Sequence, residues 1–219
     1  MIIYIILIII ILLYIYNYTH KKELYNMKEC NIDKIYDNIK TGDIILFRRD
    51  KLDIFSSMIS LFTHVGIIVV FNNKKYILET HNKNDTKYMG YETIGVNLYD
   101  IKERIMNYKG NCYIVPINNI SSLQQNLLIN NIAKYKNIKF DNNFKQHIMT
   151  YCILKKICNT CINKTTKKNM FCSEFITFIL IDLGIISNNI EKSCITPNNI
   201  LNLTDINNKL LFKSIIKII

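Results

Sequence analysis

Cys172, His64 and Glu79 have the types that suit a nucleophile, its base and the group that orients the base. Cys172 opens the stretch Asn169–Gly184, "NMFCSEFITFILIDLG". A helix start carries unpaired N–H groups and a partial positive charge, and both favour thiolate over thiol. Behind the cysteine, Phe171, Phe175, Ile176, Phe178, Ile179, Leu180 and Leu183 surround the helix with apolar side chains. This predicts a buried helix, with Gly184 as its left-handed cap. Free cysteines are also common core residues, so a packing role for Cys172 stays open at this point. Ser173 and Glu174 suit a polar, acidic first turn.

A thiol nucleophile needs an imidazole, and the chain has four histidines. His20 flanks the apolar N-terminus, and His147 sits in an apolar helical stretch where a structural role is favoured. His64 opens a strand after a loop, and Gly66 leaves room beside it. Glu79 and His81 alternate on the following strand, so they face one side. A hairpin folded about Asn72–Lys75 brings Glu79 near His64. A carboxylate beside an imidazole fixes its tautomer and stabilises imidazolium. The plain alternative is an incidental surface pair.

Several elements must position these groups. "GDIILF" (Gly42–Phe47), "THVGIIVVF" (Thr63–Phe71) and "YILETH" (Tyr76–His81) are β-branched and read as strands. "TIGVNLY" and "NCYIVPI" add two more. "IFSSMISLF" (Ile54–Phe62) fits a short amphipathic helix or a loop. From Leu123 to Tyr135 apolar residues recur at helical steps, and a second apolar run covers 144–158. Strands first and helices later predict an α+β fold.

In this order "GDIILF", "FTHVGIIV", "YILETH", "FCSEFI" and "ITPNNI" resemble the circularly permuted papain-like enzymes of the NlpC superfamily. That group has bacterial and poxvirus members and a lecithin–retinol acyltransferase-like branch. The resemblance spans roughly Thr41 to Leu201, and "KYKNIKFDNNF" (Lys134–Phe144) is similar to the segment preceding the family's cysteine helix. It implies a permuted papain-like fold, an antiparallel sheet or barrel packed on helices. It also implies Cys172 as nucleophile, His64 as base and Glu79 as third member. The expected activity is that of a membrane-anchored cysteine hydrolase or acyltransferase on an amide, ester or thioester. A catalytically silent binding or assembly module and a peptidase are the alternatives. No metal or organic cofactor is implied.

The 219 residues suit one domain, with 49% hydrophobic residues to build a core. The net charge of +11 is dispersed, and abundant Asn, Ile and Lys match an AT-rich genome. A solvated or membrane-facing surface therefore fits better than nucleic-acid binding. Seven cysteines, an odd number, argue for a reducing compartment rather than a disulfide framework. Cys158 and Cys161 lack a second pair with zinc-ligand spacing. Asn163–Asn169, "NKTTKKN", is a basic loop suited to solvent or to an anionic substrate. Met1–Tyr16 is uncharged and apolar, about 24 Å long as a helix. With Lys21 and Lys22 following, it is expected to anchor the chain in a membrane, single-pass, with the catalytic domain in the cytosol. The expected division is an anchor over 1–18, a linker over 19–40 and a domain over 41–219. Partners are then membrane lipids at the N-terminal helix and a lipid or peptide substrate.

Overall fold

The computed structural model describes residues 4, 11, 27–49, 61–81, 94–141, 169–190, 192 and 195–219. Nine strands form among them: β1 (Glu29–Cys30), β2 (Ile44–Arg49), β3 (His64–Phe71), β4 (Lys74–His81), β5 (Gly95–Asp100), β6 (Gly110–Val115), β7 (Lys139–Phe140), β8 (Asn169–Met170) and β9 (Ile216–Ile218). Seven of them make one sheet in the order β1-β9-β6-β2-β3-β4-β5, and β7 pairs with β8 separately. The helices are α1 (Ile32–Ile35), α2 (Ile101–Met106), α3 (Ser122–Asn130), α4 (Ile132–Tyr135) and α5 (Cys172–Asp182).

This corrects the expected α+β, antiparallel papain-like architecture. The described chain is mostly sheet, its helices are few and short, and the sheet is mixed because β1 runs parallel to β9. The helical period over 123–135 does not yield one long helix: Asn131, with φ −87° and ψ 0°, separates α3 from α4. The expected membrane-spanning helix and single-pass localisation are also corrected. Among the described residues no helix is long and apolar enough to cross a membrane. The Met1–Tyr16 run, apart from Tyr4 and Ile11, lies outside them. So do most of Ile54–Phe62 and the apolar run over 144–158. Of residues 19–40, read as a linker, Glu29–Cys30 joins the sheet edge and Ile39 is buried.

The β3–β4 hairpin turns on Asn72 and Asn73, with φ of 50° and 57°. Two positive φ values define the tight turn whose twist matches the flanking strands, and asparagine tolerates them. Strand alternation then sorts the core onto two faces. Ile44, Leu46, Val65, Ile67, Val69 and Leu78 face one side and pack with Phe175, Ile176 and Ile179 of α5. Ile45, Phe47, Ile68, Ile77 and Cys112 face the other and pack with Ile101 of α2. The α5 helix is buried from Cys172 through Leu180. It ends where Gly184 turns left-handed at φ +64°. The Gly184 N–H then donates to the Ile181 carbonyl, and Ile185 N–H to Leu180, the paired bonds of a Schellman cap.

Candidate functional site

Glu79 is fully buried and is the hub of the site. The antiparallel β3–β4 register sets Gly66 opposite Glu79, where a Cβ on Gly66 would come 3.2 Å from the Glu79 Cβ. The carboxylate needs that space. His64 Nε2 lies 2.8 Å from Glu79 Oε2, within hydrogen-bond reach. Arg104 Nε donates to Oε1 at 2.5 Å, and its Nη2 to Oε2 at 3.5 Å. Burial by itself pushes the Glu79 carboxyl up. The Arg104 guanidinium, His81 and the His64 hydrogen bond override it and hold the group well below the usual range. Glu79 is thus an ionised acceptor, which favours the His64 tautomer with its proton on Nε2 and the Nδ1 lone pair available as a base.

Sequence reasoning missed Arg104. It sits on α2, whose start is capped by the Asp100 carboxylate accepting from Lys102 N–H at 2.9 Å and Glu103 N–H at 3.1 Å. Ile101, Arg104 and Ile105 share one helical face, so the signal was a cation in an apolar stripe. The guanidinium lies over Phe47 at 4.3 Å and Tyr108 at 5.2 Å, measured to the ring centroids. Burial opposes its charge, but Glu79 more than restores it and raises its pKa.

His81 stacks on His64, with centroids 4.8 Å apart and planes at 22°. Its Nε2 comes within 3.0 Å of Glu79 Oε1. The approach lacks hydrogen-bond alignment, so it is an electrostatic contact, and neither ring nitrogen has a hydrogen-bond partner. Such a group costs about 1–3 kcal/mol when buried. His64, Glu79 and His81 each offer a ligand atom, all within 4.8 Å of one another, so this cluster has the donors for a metal ion.

Cys172 is the first residue of α5 and 7% exposed. Two links bring this helix start to the same end of the sheet. The first runs through β7 and β8: Phe140 pairs with Met170, the Phe140 and Phe171 rings meet at 5.9 Å, and the Ile138 carbonyl lies beside Gly95, opposite His81. The second runs through the "ITPNNI" segment. Ser173 Oγ donates to the Ile195 carbonyl at 2.7 Å, and Phe62 N–H donates to Asn198 Oδ1 at 3.1 Å. That segment ties the first turn of α5 to the residues that enter β3 at His64. Glu174 Oε2 accepts the Phe171 N–H at 3.3 Å, closing the helix start. Among the described residues a second buried thiol, Cys112, lies on the Glu79 side of the sheet, and burial pushes it up to about 12. Cys112 therefore stays a thiol.

The structure joins His64 and Glu79 directly on the Ile68–Ile77 face of the sheet, and sets Cys172 at the head of α5, which packs on the opposite, Val65–Leu78 face of β3 and β4. His20, His147, Cys158, Cys161 and the basic loop over 163–168 lie outside the described residues.

No family model matches the chain, and no curated protein matches it. Among solved structures it is similar to the metalloprotein YiiX of Escherichia coli O157:H7, described as DUF1105. The two are 16% identical over 82% of this chain and 88% of that one, with a TM-score of 0.44.

Proposed function

We propose that the protein is a cysteine hydrolase or acyltransferase acting on an amide, ester or thioester carbonyl. One observation carries this reading: a buried, ionised Glu79 bonded to His64 Nε2, itself braced by Arg104. Such an arrangement favours a base-ready Nδ1 on His64 and stabilises the imidazolium that forms when Nδ1 accepts a proton. The resemblance to the NlpC group agrees with Cys172 as the proton's source.

In the first step the Cys172 thiol gives its proton to His64 Nδ1, and the thiolate attacks the carbonyl carbon. The backbone N–H at the start of α5 stabilises the developing oxyanion. Imidazolium then protonates the leaving group as the carbonyl re-forms, leaving a thioester on Cys172. Water or a second acceptor attacks this thioester, with His64 again taking the proton. Glu79 keeps its charge throughout.

Exposure to p-nitrophenyl acetate, followed by mass spectrometry of the intact chain and its peptides, tests the proposal. The expected result is one acetyl group on Cys172, absent in Cys172→Ala and formed about a hundredfold more slowly or worse in His64→Ala. Acetylation spread over lysines, with none on Cys172, overturns the reading.

A further inference from the structure

We propose that His64, Glu79 and His81 also form a binding site for a zinc-class divalent cation, and that this cation and thiol activation exclude each other. The metal site stands on its own geometry. Its inhibitory consequence rests on the thiol chemistry proposed above.

The donors come first. Two imidazoles and a carboxylate are the ligand set of zinc-type ions, whereas calcium and magnesium prefer six or more oxygens. Tetrahedral zinc, with bonds of about 2.0–2.1 Å, sets its donors about 3.3 Å apart. His64 Nε2 and Glu79 Oε2 are 2.8 Å apart, and His81 Nε2 and Glu79 Oε1 are 3.0 Å apart. Small side-chain shifts open these to coordination distances. The two stacked rings must also tilt toward each other, since the cluster spans up to 4.8 Å.

His81 points to the same site. It is completely buried, and both of its ring nitrogens lack hydrogen-bond partners. In the proposed acyl transfer this ring moves no proton; its part is to help hold Glu79 ionised. A cation bonded to Nε2 gives that nitrogen the aligned partner that its 3.0 Å approach to Glu79 Oε1 does not supply. Arg104 weighs against a second positive charge, so the affinity is moderate. It also supplies an outer partner: its Nε bond to Oε1 can hold the carboxylate while Oε2 turns to the cation.

Exclusivity follows from the proton inventory. In the base-ready state His64 carries its proton on Nε2. A cation on Nε2 requires that proton to move to Nδ1, with no net gain or loss. Nδ1–H is no longer a lone pair, so the Cys172 thiol loses its acceptor.

The test is titration of the full chain with zinc chloride by calorimetry and with cobalt chloride by absorption. Wild type and Cys172→Ala should each bind one equivalent. Cobalt should show tetrahedral visible bands with no sulfur-to-cobalt charge-transfer band. His81→Phe keeps the ring stack and should bind about tenfold more weakly or worse. At a zinc concentration that fills the wild-type site but not the weaker one, zinc should slow iodoacetamide labelling of Cys172 in wild type and leave the labelling rate of His81→Phe unchanged. If His81→Phe fails to fold by circular dichroism, the wild-type cobalt spectrum still decides. Absence of binding, a thiolate charge-transfer band, or binding lost in Cys172→Ala but kept in His81→Phe overturns the site. Zinc binding without His64-dependent labelling instead keeps the site and sinks the acyl-transfer reading.

Discussion

The charge pair between Glu79 and Arg104 governs the site at the level of single residues. Both side chains are buried, and each holds the other ionised. Removing one partner leaves a buried charge uncompensated. Glu79→Gln is therefore expected to destabilise the protein by about 3–5 kcal/mol in denaturant unfolding. The double variant Glu79→Gln/Arg104→Met should recover part of that loss, because it removes both charges. A double variant less stable than Glu79→Gln contradicts the pairing. His64 and Glu79 were legible in the sequence, because strand alternation and a short hairpin suffice to bring them close. Arg104 was not, since its helix lies two elements away in a chain with many dispersed cations. His81 was legible only as a neighbour of Glu79. Its stack on His64 depends on the cross-strand register.

Close packing between elements fixes the site's shape. Gly66 on β3 lies under β4, and a Cβ there would come 2.5 Å from Ile77 Cγ2 and 3.2 Å from Glu79 Cβ. Gly66→Ala is expected to cost about 1–3 kcal/mol of stability through overpacking. It should also slow Cys172 labelling, because Glu79 must shift. A variant with unchanged melting and unchanged labelling would show that the hairpin does not constrain the carboxylate. Most strands could be read from β-branched runs, and the α5 helix from its apolar length and Gly184. The tie through Ile195–Asn198 could not. "ITPNNI" is polar and irregular, and its role lies in hydrogen bonds to Ser173 and Phe62, which are far away in sequence. The α+β expectation fails because the helices are short and the strands dominate: Asn131 divides the 123–135 period into α3 and α4, while seven strands join in one sheet.

For the whole molecule, buried titratable groups set the pH range of stability. The Glu79 carboxyl has a folded pKa well below its ordinary 4.5. Its contribution is fully present above that ordinary value and is lost as pH falls through the lower folded pKa. Cys112 and Tyr108 behave in the opposite sense at high pH, since burial pushes each up to about 12 from ordinary values of 9.0 and 10.0. The unfolded chain releases those protons first, so stability falls from about pH 9 upward. Melting temperatures across pH should form a plateau with both flanks falling. Cys112→Ala should shallow the alkaline flank, and an unchanged flank would contradict the burial effect. The apolar N-terminal run was the most conspicuous feature of the sequence. Among the described residues no helix is long and apolar enough to cross a bilayer, so the single-pass assignment built on that run is not supported.

The most direct test of the central claim is the pH profile of iodoacetamide labelling, read separately at Cys172 and Cys112 by peptide mass spectrometry. Cys172 is expected to react near pH 6, at least about tenfold faster than Cys112, and His64→Ala to move its profile to the ordinary thiol range of about 8.5. Equal rates at the two cysteines, or a Cys172 profile indifferent to His64→Ala, would contradict it.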